Sequence, residues 1–264
     1  LEEQVGLKTT SDFYMISLKD KSCGMQYGRN TFDFAEGVMV FTAPGQVKQL
    51  TETIVKGSIT GWMLYFHRDL IRGTHLADAL DDYSFFGYDV FEALHLSADE
   101  EVTVLGCVEQ IKREYEQRID AHSQRVMVAN LSLLLNHALR FYERQFHTRA
   151  PQHHTVVAAF EKELKIYFRE ERSLEEGIPS IQYFAGKANL SPHYFSDLLR
   201  KQTGRSAKDH INDYVVEQAK NLLVQSDRSI SEVAYGLGFQ YPHYFTRLFK
   251  AKTGFTPVQY RKAN

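Results

Sequence analysis

The chain has 264 residues, 43% hydrophobic and 24% charged, with two cysteines and a formal net charge of −2. That length accommodates two ordinary domains, and the balance excludes a disordered or collagenous chain. No apolar run approaches the ~20 residues of a membrane span, no basic-then-apolar leader opens the chain, and two cysteines cannot build a disulfide framework, so the expectation is no membrane partner and a cytoplasmic location.

The charge is uneven. From Lys165 onward there are fifteen Lys/Arg and ten Asp/Glu, whereas residues 1–164 carry sixteen and twenty-three. A basic second half on an acidic first half anticipates a polyanionic partner at one end.

Residues 12–66 read as β-rich. FYMISL at 13–18, GVMVF at 37–41 and ITGWMLYF at 59–66 are strand-like runs, separated by turn signals at 21–24, at 27–30 and at Pro44 and Gly45. Such density predicts a small barrel or sandwich. Trp62, the sole tryptophan, together with Tyr14, Phe32, Tyr65 and Phe66, is a candidate lining for a ligand cavity, although aromatic side chains also fill ordinary cores. A metal-dependent barrel enzyme would present a His-x-His pair, a glutamate and a later histidine. Residues 12–67 hold one histidine, His67, and the adjacent His153 and His154 would diverge by ~100° on a helix. No metal, cofactor or catalytic residue is assigned.

From Ser97 the pattern turns helical. Ser97 and Glu100 form a capping box, and Val104, Val108, Ile111 and Tyr115 share one face. Over 122–146, Met127, Leu131, Leu134, Ala138 and Phe141 make a stripe flanked by Leu133, Leu135 and Leu139. A stripe this wide needs cover from more than one side, either from the barrel and the neighbouring helix or from a second subunit. A two-fold homodimer through the first five is expected. Residues 147–153 (HTRAPQH) read as a linker, and a helix over 155–169 aligns Val156, Phe160, Leu164 and Phe168.

The last eighty residues contain a repeat. SPHYFSDLLRKQTG at 191–204 recurs as YPHYFTRLFKAKTG at 241–254, identical at seven of fourteen positions. Upstream, FAGKANL at 184–190 aligns with VAYGLGF at 233–239. Each copy reads as helix, tight turn, helix. Asn189 and Gly238 occupy equivalent turn positions, and these are residue types that tolerate a left-handed backbone. Pro192 and Pro242 start the second helices, where a missing N–H costs nothing. Phe195, Leu198 and Leu199, and likewise Phe245, Leu248 and Phe249, form the inner faces; Gly204 and Gly254 cap the ends. The outer faces are polar: His193, Ser196, Asp197, Arg200 and Lys201, then His243, Thr246, Arg247, Lys250 and Lys252. In a helix-turn-helix that face enters the DNA major groove. One such helix alone would be no more than a solvated surface; two in register point to duplex DNA.

These residues resemble the DNA-binding domain of the AraC/XylS family of bacterial transcription activators. The likeness runs from about 178 to 261 and is strongest at SISEVAYGLGF (229–239), Tyr244, Phe245, Phe249, Lys250, GFTP (254–257), Tyr260 and Arg261. It implies sequence-specific reading of two adjacent groove segments, with an N-terminal domain that senses an effector or dimerises. A helix over 206–224 would span about 28 Å, against ~34 Å for one turn of DNA. By position, His193, Ser196, Asp197, His243 and Arg247 would face bases, while Arg200, Lys201 and Lys250 would grip phosphates. Three residues depart from the pattern: Asp197 and Val215 stand where relatives often carry Arg, and His210 replaces a common aromatic.

The expected fold is therefore α+β in two domains: a cupin-like β-barrel at 1–96 with an α-helical dimerisation segment at 97–148, a linker and connecting helix at 149–176, and an all-α tandem helix-turn-helix domain at 177–264. The expected function is a transcription regulator, an activator and not an enzyme, whose partners are promoter DNA, RNA polymerase, a second copy and a small-molecule effector. The alternative is a cupin-type enzyme with a C-terminal protein-interaction module.

Overall fold

The computed structural model describes residues 8–20, 37–46, 48–49, 61–89 and 92–263. The turn signals at 21–24 and 27–30, the candidate cavity residue Phe32 and the first two residues of the third strand run lie outside them. The chain divides into two compact units, Leu1–Ala150 and Pro151–Asn264.

In the first unit the strand-like runs become strands, whose period-two geometry places one set of apolar side chains on a single face. β1 (Lys8–Thr9) pairs with β4 (Lys48–Gln49) as a short ribbon. β2 (Phe13–Asp20), β3 (Gly37–Thr42), β5 (Gly61–His67) and β6 (Leu94–Leu96) form an antiparallel sheet of order β5-β2-β3-β6. Register sets Tyr14 opposite Phe66, Ile16 opposite Leu64 and Phe41, and Leu18 opposite Trp62 and Met39. Ile16, Leu18, Met39, Phe41, Phe66 and Leu94 are buried on that face.

Two short helices follow β5, α1 (Arg68–Ile71) and α2 (His75–Ala79), and then 3-10 turns bring Phe85 and Phe86 onto Phe41 at ring separations of 4.4 and 5.6 Å. α3 (Ala98–Glu116) opens with the Ser97/Glu100 capping box and buries Val104, Cys107 and Ile111. Its expected fourth contact, Tyr115, is 73% exposed, in a last turn of α3 that buries no residue. α4 (Ser123–Thr148) packs on α3 and β6 and buries Leu131, Leu134, Leu135, Ala138 and Phe141, leaving Met127 half-buried. The wide stripe is thus covered by elements of its own chain, with Tyr142 stacked on Phe85 at 5.3 Å. Of the two covers the sequence allowed, this is the first, and of the five residues expected at a two-fold interface Leu131, Leu134, Ala138 and Phe141 are buried within the subunit while Met127 is half-buried.

The free edge of β6 is closed by α4. Gln145 Oε1 accepts from His95 N at 2.8 Å, Gln145 Nε2 donates to Ala93 O at 3.1 Å, and Arg144 donates to His95 O at 2.6 Å. Arg144 also pairs with Glu100 at 2.8 Å, joining α4 to the cap of α3. Such bonds occupy backbone groups that an open edge would offer to other strands.

The boundary between the units falls within the expected linker at 147–153, but these residues are helical rather than irregular. α4 ends at Thr148 and α5 spans Ala150–Arg169, with only Arg149 between them. Pro151 lies in the first turn of α5, where proline is at home.

Among the described residues the regular elements of the second unit are all helices: α5, α6 (Arg172–Glu176), α7 (Ile181–Ala188), α8 (Pro192–Thr203), α9 (Ala207–Gln225), α10 (Ile230–Gly236), α11 (Pro242–Thr253) and α12 (Pro257–Ala263). Its core gathers Phe160, Leu164, Phe184, Phe195, Val215, Leu223, Phe245 and Phe249 around α9. Among the described residues no helix is long and apolar enough to cross a membrane.

Candidate nucleic-acid interface

Two modules, α7–α8 and α10–α11, are built alike. The side chains of Ser180 and Ser229 cap α7 and α10, the latter within a capping box with Glu232. α7 closes at Asn189 (φ 54°), and the chain leaves α10 through Gly238 (φ 90°). The closing hydrogen bonds match one for one: Leu190 N donates to Ala185 O at 2.9 Å, as Phe239 N does to Ala234 O at 3.0 Å. This is a Schellman closure, and it demands a left-handed residue at the turn. The second helices begin at Pro192 and Pro242 and end at left-handed Gly204 (φ 73°) and Gly254 (φ 80°).

Phe195, Leu198 and Leu199 on α8, and Phe245 and Phe249 on α11, are buried. Both modules rest on α9, a 19-residue rod of about 28 Å at ~1.5 Å per residue. Val215, where the resemblance anticipated an arginine, is fully buried in this core. His210 does take an aromatic place: its ring lies edge-on to Phe160 at 5.7 Å, and Nε2 is 2.8 Å from Thr203 Oγ1. Burial first, and then the charge of Arg205, lower its pKa. Arg261 Nε donates to Leu223 O at 3.0 Å, tying α12 to the end of the rod.

On the outer faces, His193, Arg200, Lys201, His243, Arg247 and Lys250 are exposed, while Ser196, Asp197 and Thr246 are half-buried. Ser196 Oγ donates to Pro192 O at 2.7 Å and Thr246 Oγ1 to Pro242 O at 3.1 Å, so both hydroxyls spend their proton on the helix and present lone pairs outward. Lys252 departs from this face. Nine residues beyond His243, it lies about 180° around the helix at ~100° per residue, and its Nζ reaches Asp209 at 3.4 Å and Asp213 at 3.0 Å on α9. Asp213 also pairs with Arg205. Lys252 is a strut between α11 and the rod.

Two exposed aromatics went unassigned from the sequence. Tyr241 and Tyr244 are 56% and 48% exposed beside His243, with Tyr244 4.2 Å from the His243 ring. The repeat concealed Tyr244, because its equivalent, Tyr194, is buried.

The candidate effector residues do not converge. Tyr14 is buried and stacks on Phe66 at 4.9 Å. Trp62 and Tyr65 are three apart on one strand, so alternation sends them to opposite faces of the sheet and they cannot line one cavity. Trp62 shares the face of Tyr14, whereas Tyr65 is 51% exposed. Among the described residues no cluster of three or more His, Cys, Asp or Glu is placed to hold a metal.

Residues 184–263 match a family model described as a helix-turn-helix domain. Over 82 residues the chain is 37% identical to the uncharacterized HTH-type transcriptional regulator YobQ of Bacillus subtilis, covering 31% of this chain and 34% of that protein. Over 138 residues it is 27% identical to the HTH-type transcriptional activator RhaR of Yersinia pseudotuberculosis, covering 52% and 44% respectively. The chain therefore spans less than half of either relative. Among solved structures, the DNA-binding domain of AdpA in complex with a target DNA aligns at 30% identity and TM-score 0.32, over 36% of this chain and 90% of that one.

Proposed function

From the AraC-type helix-turn-helix domain in its C-terminal region, we propose that the chain is a sequence-specific transcription regulator, an activator that reads two adjacent major-groove segments of duplex DNA per subunit. The observation that carries this is the matched pair of proline-started helices, with equivalent turns and inner faces, borne on one rod. A rod of about 28 Å is commensurate with the ~34 Å turn of DNA, so both outer faces can address one side of the duplex. In this reading His193, Ser196, Asp197, His243 and Arg247 face bases, with Arg247 bidentate to guanine and Thr246 on the same outer face, and Arg200, Lys201 and Lys250 hold phosphates. The name of the relative RhaR supports the activator assignment, which makes RNA polymerase a partner.

The proposal extends to the first unit. Residues 1–96 form a cupin-like effector domain, 97–148 a dimerisation segment and 149–176 the connection to the DNA-binding domain at 177–264, all in the cytoplasm. The small antiparallel sheet with an aromatic face supports the first assignment. With Leu131, Leu134, Ala138 and Phe141 already buried, the homodimer uses the exposed row of α4, including Val126 and Leu133.

The test is selection of bound sequences from random duplexes by the full chain, followed by salt titration of the selected duplex. Two enriched blocks about 10 base pairs apart are expected. Generic, steeply salt-dependent binding with no enriched motif refutes the reading.

A further inference from the structure

Each module carries a tyrosine three residues ahead of a polar side chain on its outer face: Tyr194 before Asp197, and Tyr244 before Arg247. The fold uses the two rings differently. Tyr194 is 4% exposed, with its hydroxyl 3.3 Å from His153 Nε2. Tyr244 is 48% exposed, and the Arg247 guanidinium carbon lies 5.4 Å from its ring centroid. His243 backs the same ring at 4.2 Å and Tyr241 sits 6.0 Å away, so Tyr244 is itself braced.

Positions i and i+3 are neighbours on a helix surface, and a cation over a ring face is attracted by the ring's negative centre. The guanidinium can rest its face on the ring and keep its N–H edge for a planar partner. An arginine ordered before binding loses less freedom when it binds. The first module differs at this pair: the residue three on from Tyr194 is Asp197, an anion, and a ring face repels negative charge.

We infer that Tyr244 is a positioning residue for Arg247, holding its guanidinium in a base-reading orientation in the DNA-free protein, and that the second module is thereby the specificity-determining half of the pair. The inference rests on the DNA-binding reading above.

Full-length chain and its Tyr244→Ala, Tyr244→Phe, Arg247→Ala and double Ala variants test it by two measurements. In DNA-free protein, 15N relaxation of the Arg247 side chain should show it ordered with Tyr or Phe at 244, and in the flexible range, order parameter below about 0.6, with Ala. Against the selected duplex and its single-base-pair variants, Tyr244→Ala should reduce discrimination about two- to fivefold at the same base pair that Arg247→Ala affects. Tyr244→Phe should restore it, and the double variant should match Arg247→Ala. Unchanged Arg247 order, an even loss at every base pair, or additive losses in the double variant would overturn the inference while leaving the DNA reading intact. Wild-type chain that binds all duplexes alike overturns both.

Discussion

Gly238 is the position where one added carbon should do most damage. Its backbone is left-handed at φ 90°, and a Cβ there would lie 2.7 Å from Gly177 C, 2.9 Å from Ile178 N and 2.9 Å from Ser173 O. All three are backbone atoms, so none can swing aside, and Ser173 is further tied to α10 by a 3.1 Å hydrogen bond from Oγ to Gly236 O. Gly254 is the control: it is also left-handed, at φ 80°, with nothing within 4 Å of its Cβ position. A left-handed L-residue costs about 1–2 kcal/mol, and overpacking adds about 1–3 kcal/mol. Gly254→Ala should therefore cost about 1–2 kcal/mol and Gly238→Ala about 2–5 kcal/mol. Fluorescence will not report this, because the sole tryptophan, Trp62, is in the first unit. Hydrogen exchange of the slowest amides in α10 and α11 will, at about tenfold per 1.4 kcal/mol. Exchange about tenfold or more faster in Gly238→Ala than in Gly254→Ala is expected. Equal acceleration would show that residues 173–178 yield easily and that the close approach constrains nothing. Asn at 238 should fail too, although Asn189 serves at the equivalent turn, because that clash is tertiary.

Three further outcomes follow from particular contacts. Lys250→Ala should lower the salt slope of DNA binding by about one, whereas Lys252→Ala should leave it unchanged, its ammonium being paired with Asp209 and Asp213; equal slopes for the two variants would place Lys252 on the DNA after all. His210 has a folded pKa below its ordinary 6.5, chiefly through burial. Its neutral form is favoured in the native state, so its contribution is complete above about pH 6.5 and is lost as pH falls through that value toward the lower folded pKa. Exchange protection in α9 should weaken on acidification, and His210→Phe should reduce that dependence; an identical pH profile in the variant would exclude His210 as the cause. Glu100→Ala removes both the α3 capping-box acid and the partner of Arg144. A loss of about 2–4 kcal/mol is expected for the first unit, read as a lower urea midpoint by Trp62 fluorescence, and an unshifted midpoint would show that the bridge contributes nothing net.

What the sequence determined by itself was local. Capping boxes at Ser97 and Ser229, proline starts at 192 and 242, left-handed turns at Asn189 and Gly238 and glycine ends at 204 and 254 each depend on residues a few positions apart, so their types and spacing suffice. Tertiary structure decided which polar and apolar side chains remain available. Tyr194 and Tyr244 have the same local context, yet one lies against His153 and the other against Arg247. Lys252 belongs with the basic face by composition, but Asp209 and Asp213 on α9 claim it. The leucine stripe of α4 was legible as apolar, but the choice between cover by its own chain and cover by a second subunit was not, nor was the helix that runs through residues written like a linker. In each case the deciding partner is distant in sequence, and an amino-acid pattern records a residue's own preferences, not the neighbour that folding brings to it.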